Sequence, residues 1–241
     1  MKTTAVVLLA LLAGCATQPA VRSSSDFKTV FPHIRIDTAH HIVEIDGIVC
    51  IDAADPNQPA GVPLECFIIT SASGKEHESL ILTSASAKEI HAALLMAGFE
   101  PGSPGSFNWD ASTRTLKPIP PKGQLLNLSV AYADRGFVNL GTWAMHMNGS
   151  ALLPEHQTAA TWHFAGSRFH TTKGGEIYEA QMNGIIAGLC TFGGEVLAWP
   201  DTISADSTMQ EPDFVADKSV VPPFKTAVRV RISSHQRELL H

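Results

Sequence analysis

The chain is expected to fold as an α+β domain, a mostly antiparallel sheet with one clear helix (about 86–97) and long irregular loops. Three observations lead there. Short runs rich in β-branched and apolar residues recur from Ile34 to Ser233, separated by Gly, Pro and Asn breaks. One segment, Ser86 to Gly98, carries helix signals at both ends. And Pro101 to Gly123 is so rich in Pro, Gly and Ser that it reads as a long surface loop.

Ile34 to Asp37 and His41 to Ile51 read as two strands joined by a tight turn. Leu64 to Thr70 is a continuous apolar run, the pattern of a strand buried on both faces. Glu78 to Thr83 is another strand. In the helix, Ser86 is a good N-cap with Glu89 three residues on, a capping box. Ile90, Ala93, Leu94 and Ala97 form an apolar stripe, and Gly98 is placed to end it in a left-handed turn. Strands follow at Gln124 to Ala131, Phe137 to Met147, Thr161 to Phe164, Glu176 to Ala180, Ile185 to Phe192, Val196 to Trp199 and Thr226 to Ser233. Gly174-Gly175 and Asn183-Gly184 are hairpin signals, and Pro200 to Pro223 reads as irregular.

A hydrophobic fraction of 44% against 17% charged residues is globular and excludes a disordered chain. The net charge of −6 becomes −7 if Lys2 is removed with a leader. An acidic chain without a basic run is a poor partner for nucleic acid.

The start of the chain reads as a signal peptide, residues 1–14. Lys2 gives a short positive region, and Ala5 to Ala13 is an unbroken run of small and aliphatic residues. That run is far short of the roughly 20 apolar residues a membrane-spanning helix needs. It ends in Leu12-Ala13-Gly14-Cys15, which resembles the bacterial lipobox. The resemblance implies a diacylglycerol on the Cys15 thiol, cleavage before Cys15 and a membrane anchor through that lipid. Ala16 rather than Asp after the cysteine points to the outer rather than the inner membrane. Residues 15–33 then form the lipidated cysteine and a flexible tether, and residues 34–241 a single globular domain.

Four further segments belong together: Gly74-Lys75-Glu76-His77-Glu78-Ser79-Leu80, His91-Ala92-Ala93-Leu94-Leu95, Phe164-Ala165-Gly166-Ser167-Arg168-Phe169 and Val196-Leu197-Ala198-Trp199-Pro200-Asp201. As a set they resemble the YdjY-type family of bacterial envelope proteins, over roughly Ile34 to Asp201. The resemblance implies an envelope address and carries no established activity. Some members are described as ferredoxin-like. This sequence departs from that label, because it has no Cys-x-x-Cys and Cys50, Cys66 and Cys190 are scattered. No iron–sulfur cluster, and no other cofactor or metal, is expected.

Cys50 and Cys66 flank a Pro-rich connection and are candidates for a disulfide; the alternative is three separate buried thiols.

Among residue types that carry chemistry, Glu76, His77 and Glu78 form the densest polar cluster and are the candidate acid–base or metal-binding residues. Read as a strand, the segment places His77 and Ser79 on one face and Glu78 on the other. His91 lies too far along the following helix to meet His77, and is expected to pack instead. Near Gly166, a turn would bring His163 toward Arg168 or His170, forming a pocket for a small anionic or ring-bearing ligand. Trp199-Pro200-Asp201 is expected to end a strand. Two functions remain open: a lipid-anchored binding or structural module, whose partner would be an envelope protein or small ligand, and a metal-assisted or His/Glu-dependent periplasmic hydrolase. A thiol-based redox role has the missing Cys-x-x-Cys against it.

Overall fold

The computed structural model describes residues 26–153, 161–211 and 213–234. Strand accounts for 43% and helix for 11%, and eight strands close into a barrel, so the fold is mostly β. This overturns the expected α+β domain with a mostly antiparallel sheet.

The chain begins with β1 (Lys28–Phe31), β2 (Ile34–Asp37), β3 (Ile42–Val49), β4 (Cys66–Thr70) and β5 (Ser79–Thr83), followed by helix α1 (Ala87–Met96). An excursion then carries β6 (Pro101–Ser103), β7 (Ser106–Asp110), β8 (Thr115–Ile119) and β9 (Lys122–Gly123), nested as two ladders with β6 on β9 and β7 on β8. Next come β10 (Leu125–Tyr132), β11 (Val138–Asn139), β12 (Ala144–His146), β13 (Trp162–Phe164), β14 (Phe169–Thr172) and β15 (Gly175–Tyr178). Helix α2 (Glu179–Asn183), β16 (Ile185–Gly188), β17 (Leu197–Ala198), β18 (Phe214–Ala216) and β19 (Ala227–Ser234) follow. Round the barrel the order is β3, β19, β10, β13, β17, β16, β4, β5 and back to β3. The β4–β5 and β16–β17 pairs are parallel and the other six are antiparallel.

Closure depends on β3. One of its edges runs along β19 from Ile42 to Ile48. The other is divided: Ile42 to Ile45 pair with β2, while Ile48 and Val49 pair with β5. Gly47 sits at the changeover. A Cβ there would lie 2.7 Å from Ile81 Cγ2 and 3.1 Å from the Leu82 carbonyl oxygen, so the missing side chain lets β5 approach. Register on the β2 side is set by Glu44, which is 3% exposed. Its carboxylate accepts from Arg35 Nε at 2.7 Å and from Arg231 Nε and Nη2 at 2.8 and 2.7 Å. Arg35 and Arg231 are its direct register partners on the two flanking strands. The charge is buried with its hydrogen bonds made, which offsets the loss of hydration.

Side chains fill the molecule's centre. Val43, Phe67, Val130, Phe164, Ile186 and Val230 are fully buried in one continuous cluster. An eight-stranded barrel leaves an interior that side chains can fill. Helix α1 packs on β1, β2, β3 and α2, burying Ala87, Ile90, Ala93 and Leu94. Gly98, at φ +88°, ends it, with Gly98 N–H donating to Leu95 and Phe99 N–H to Leu94. The capping box is not used: the Ser86 hydroxyl donates to Gln181 Oε1 on α2 at 2.9 Å. Tertiary contact has displaced a local cap.

Three further expectations change. Pro101 to Gly123 is not a structureless loop but the two nested ladders. Phe137 to Met147 is not one strand, because the Asn139 side chain accepts from Gly141 N–H at 2.8 Å and starts a 3₁₀ turn, Leu140–Trp143. Asn183-Gly184 is not a hairpin tip; Gly184, at φ +70°, caps α2.

Gly47→Ala should lower the unfolding free energy by about 1–3 kcal/mol, since the added methyl overpacks the closing seam. Urea denaturation with an unchanged slope would measure it; wild-type stability would mean that the seam is slack.

Candidate functional site

A cavity of about 470 Å³ opens beside the closing seam. Its walls come from the connection after β3 (Cys50, Ile51, Asp52, Asp55, Gln58, Val62, Pro63), from His77 and Glu78 just before β5, and from Phe224. The connection is shaped by Asx turns: Asp52 accepts from Ala54 N–H at 3.2 Å and Asp55 from Asn57 N–H at 2.8 Å. Pro63 bridges to Val215, pinning the far end. The result is an apolar floor of Ile51, Val62 and Pro63 with carboxylates and an imidazole among the other lining groups.

His77 occupies a 3₁₀ turn, Glu76–Glu78, rather than a strand, so the expected alternation of faces does not apply. Its side chain is 73% exposed, and its Nε2 lies 3.8 Å from Glu78 Oε1. Glu78 is drawn instead toward Lys75, whose ammonium bonds Glu65 at 2.5 Å and Glu78 at 3.1 Å. Burial pushes the Glu65 carboxyl above its ordinary range, against the pull of Lys75. Ser79, which sequence placed beside His77, is fully buried and donates its hydroxyl to the Lys75 carbonyl at 2.7 Å. Glu76 belongs to the same turn and is half-buried. Among the described residues, no group of three His, Cys, Asp or Glu side chains converges to hold a metal ion. General-base chemistry at His77 would need its ring held in place by a third group.

A second polar cluster gathers around the buried Tyr178, with His91 and Ser167 half-buried beside it. Gly166 and Ser167 turn the chain after β13 with φ of +79° and +61°. At Gly166 a Cβ would also meet Pro101 Cβ at 2.8 Å. Gly166 N–H donates to Val196 and Ser167 N–H to Glu195, while the Ser167 hydroxyl donates to the Gly194 carbonyl at 2.6 Å. The Tyr178 hydroxyl donates to Gly166 at 3.3 Å and sits 2.7 Å from His91 Nδ1. His91 also meets Phe164 edge-on at 5.2 Å. Burial lowers the His91 pKa, so the neutral ring is favoured, and raises that of Tyr178. His91 is thus a packed histidine, as the sequence suggests. Three of the four quoted motifs meet here; the Gly74–Leu80 motif lies at the cleft.

The pocket expected from His163, Arg168 and His170 does not assemble from these three. His163 Nδ1 faces the Gly123 carbonyl at 3.2 Å, and Arg168 reaches the Gly105 carbonyl at 3.5 Å. His170 pairs with Glu179 at 2.8 Å. The turn at Gly166 forms, but it sends each side chain to a different partner. Trp199 packs on Trp162 at 5.4 Å and its indole N–H donates to Asp201 at 3.2 Å. His40 pairs with Asp37 at 2.7 Å, and His41 Nδ1 lies 2.6 Å from the Ala97 carbonyl at the C-terminus of α1. Cys15 lies outside the described residues. Cys50, Cys66 and Cys190 are buried free thiols. Cys50 donates to the Ser79 carbonyl at 3.1 Å. The Cys50–Cys66 disulfide is absent because β5 runs between them: Cys50 N–H bonds Leu80, and Cys66 pairs with Ser79.

Sequence reasoning missed Tyr178 and Glu195. Glu195 is 1% exposed and accepts from Gly194 N–H at 3.0 Å. Burial pushes its carboxyl up to about 7, against the backbone N–H groups of residues 192–195 that hold the anion. A charge between Gly193-Gly194 and the apolar run Val196 to Trp199 was the available signal.

A carboxyl whose folded pKa is raised binds protons more tightly when folded, so its contribution is full at low pH and is lost as pH rises from the unfolded value toward 7. Between pH 5 and pH 8, wild type should lose roughly 3 kcal/mol relative to Glu195→Gln. His91 acts oppositely in this window and is common to both proteins, so the difference isolates Glu195. Parallel curves from chemical denaturation across that range would show that Glu195 does not titrate there.

Comparison with known proteins gives one family. A search of curated proteins and one of solved structures each returned no match. The family model for the YdjY domain matches residues 34–233, most of the chain and every strand of the barrel. The chain therefore belongs to the YdjY-domain family.

Proposed function

We propose that this chain is a lipid-anchored binding or structural module of the bacterial cell envelope, facing the periplasm. The carrying observation is the Ala5 to Ala13 run closing on Leu12-Ala13-Gly14-Cys15. Thioether-linked diacylglycerol on Cys15, with an amide-linked acyl chain of the palmitate class, supplies two or three hydrocarbon chains. At about 0.8 kcal/mol for each buried methylene, these make a durable anchor where one chain is marginal. Ala16 favours the outer membrane over the inner. The cleft beside the seam is the surface for a small ligand or a segment of an envelope protein. A His/Glu hydrolase gains little from the geometry, since His77 is mostly in solvent and Glu78 is shared with Lys75.

Mass spectrometry of the membrane-extracted chain should find a mature N-terminus at Cys15 carrying diacylglycerol. Cys15→Ser should leave the leader uncut and prevent acylation. An unmodified thiol at Cys15, or a mature chain beginning elsewhere, would sink the reading.

A further inference from the structure

We infer that Cys66 and Cys190, which stand as separate free thiols in the structure, are joined as a disulfide when the exported chain folds, which leaves Cys50 as the reduced thiol. The inference rests on the export reading for its oxidising compartment, and on the fold for its geometry.

The backbone brings the two residues together. Cys66 opens β4 and lies opposite Gly188 of β16 across the sheet. Just past that pair, the Glu65 carbonyl accepts from both Leu189 N–H, at 2.9 Å, and Cys190 N–H, at 3.1 Å. The path from the Cys190 Cα through this hydrogen bond to the Cys66 Cα adds one N–Cα bond and one peptide step. A straight path would put the two Cα atoms about 7.4 Å apart, and the bends at the carbonyl oxygen and the amide nitrogen shorten it into the range of about 4.4–6.8 Å that disulfides span. Cys50 fails the same test. It is separated from Cys66 by β5, and two strand spacings amount to roughly 10 Å.

Both side chains are buried. Cys66 is fully buried with Ile69 and Ile185, against Leu82 and Phe192. Cys190, 6% exposed, lines a small pocket with Glu65, Ser204 and Phe214. Each thiol lies within electrostatic range of Glu65 and Lys75, and Cys66 feels the charge of a Cys190 thiolate. Burial holds both thiols protonated, with Cys190 pushed up to about 12, so exchange is slow once the fold has closed. The bond therefore belongs to the folding chain.

The oxidant is a reactive disulfide of a thiol–disulfide exchange protein. The Cys190 thiolate attacks one sulfur of that disulfide and releases its partner as a thiolate. The Cys66 thiolate then attacks the Cys190 sulfur of the mixed disulfide and releases the second. Two thiols are oxidised, one disulfide is reduced to a dithiol, and the two protons pass to the released thiolates. The bond would tie β4 to the connection between β16 and β17, where the sheet is parallel.

The test uses the full chain, extracted from membranes, denatured and alkylated without reductant, then peptide-mapped. The expected result is one linked peptide pair joining Cys66 and Cys190, 2 Da lighter than the two thiol peptides, with Cys50 alkylated. A second arm refolds the denatured chain in oxidised and reduced glutathione, where the same pair should form whatever compartment the cell uses. Cys66→Ser and Cys190→Ser should each lose the reductant-dependent drop in unfolding temperature that wild type shows. A lipidated chain with all three thiols alkylated, or refolding that joins Cys50 to either partner, overturns the pair. A chain without lipid that still forms the bond in glutathione keeps the pair and removes the export reading.

Discussion

The fold depends on one strand edge being shared. Strand β3 gives its first half to β2 and its last two residues to β5, and this division converts a row of strands into a closed ring. An open sheet of this length would leave two edges of unpaired peptide groups. Closing through β3 leaves β1 and β2 as a short flap on the outside. Two side-chain choices permit it: no side chain at Gly47, where β5 must come close, and a buried carboxylate at Glu44, where Arg35 and Arg231 converge. The second is specific. A shift of one residue in register would turn Glu44 away from both guanidinium groups.

The elements were legible in the sequence; their closure was not. Most predicted strands stand within a few residues of their expected bounds, because β-branched runs and their breaks are local signals. The stripe on α1 and its glycine stop are local as well. The ring arises from pairings such as Ile48 with Leu82 and Ala227 with Ile48, which no window of neighbouring residues records. The same reason explains Ser86, whose capping signal was real but whose hydroxyl found Gln181, far along the chain. It also explains the site. His77 and Glu78 were found as residue types, yet their exposure and the competing claim of Lys75 depend on tertiary contact. Tyr178 gave no signal, since an aromatic in a strand is ordinarily core, and Glu195 gave only an unexploited one.

Polar groups in this molecule follow two regimes. Around the cleft they are exposed or shared, as with His77 and the Lys75–Glu65–Glu78 group. Around Gly166 they are buried or half-buried and matched, so that His91, Tyr178 and Ser167 specify how β13, α1 and the loop before β17 fit together. A matched buried network defines one arrangement of the backbone. An open cleft tolerates many occupants. The open cleft and the matched network thus occupy different parts of the barrel.

The position of β19 has a kinetic meaning. It lies between β3 and β10 in the ring, yet residues 227–234 are made long after both neighbours. Until they emerge, β3 and β10 have no strand between them, and the ring stands open along its longest ladders. The ring seals only once this segment is in place, which makes closure a late and long-range step of folding.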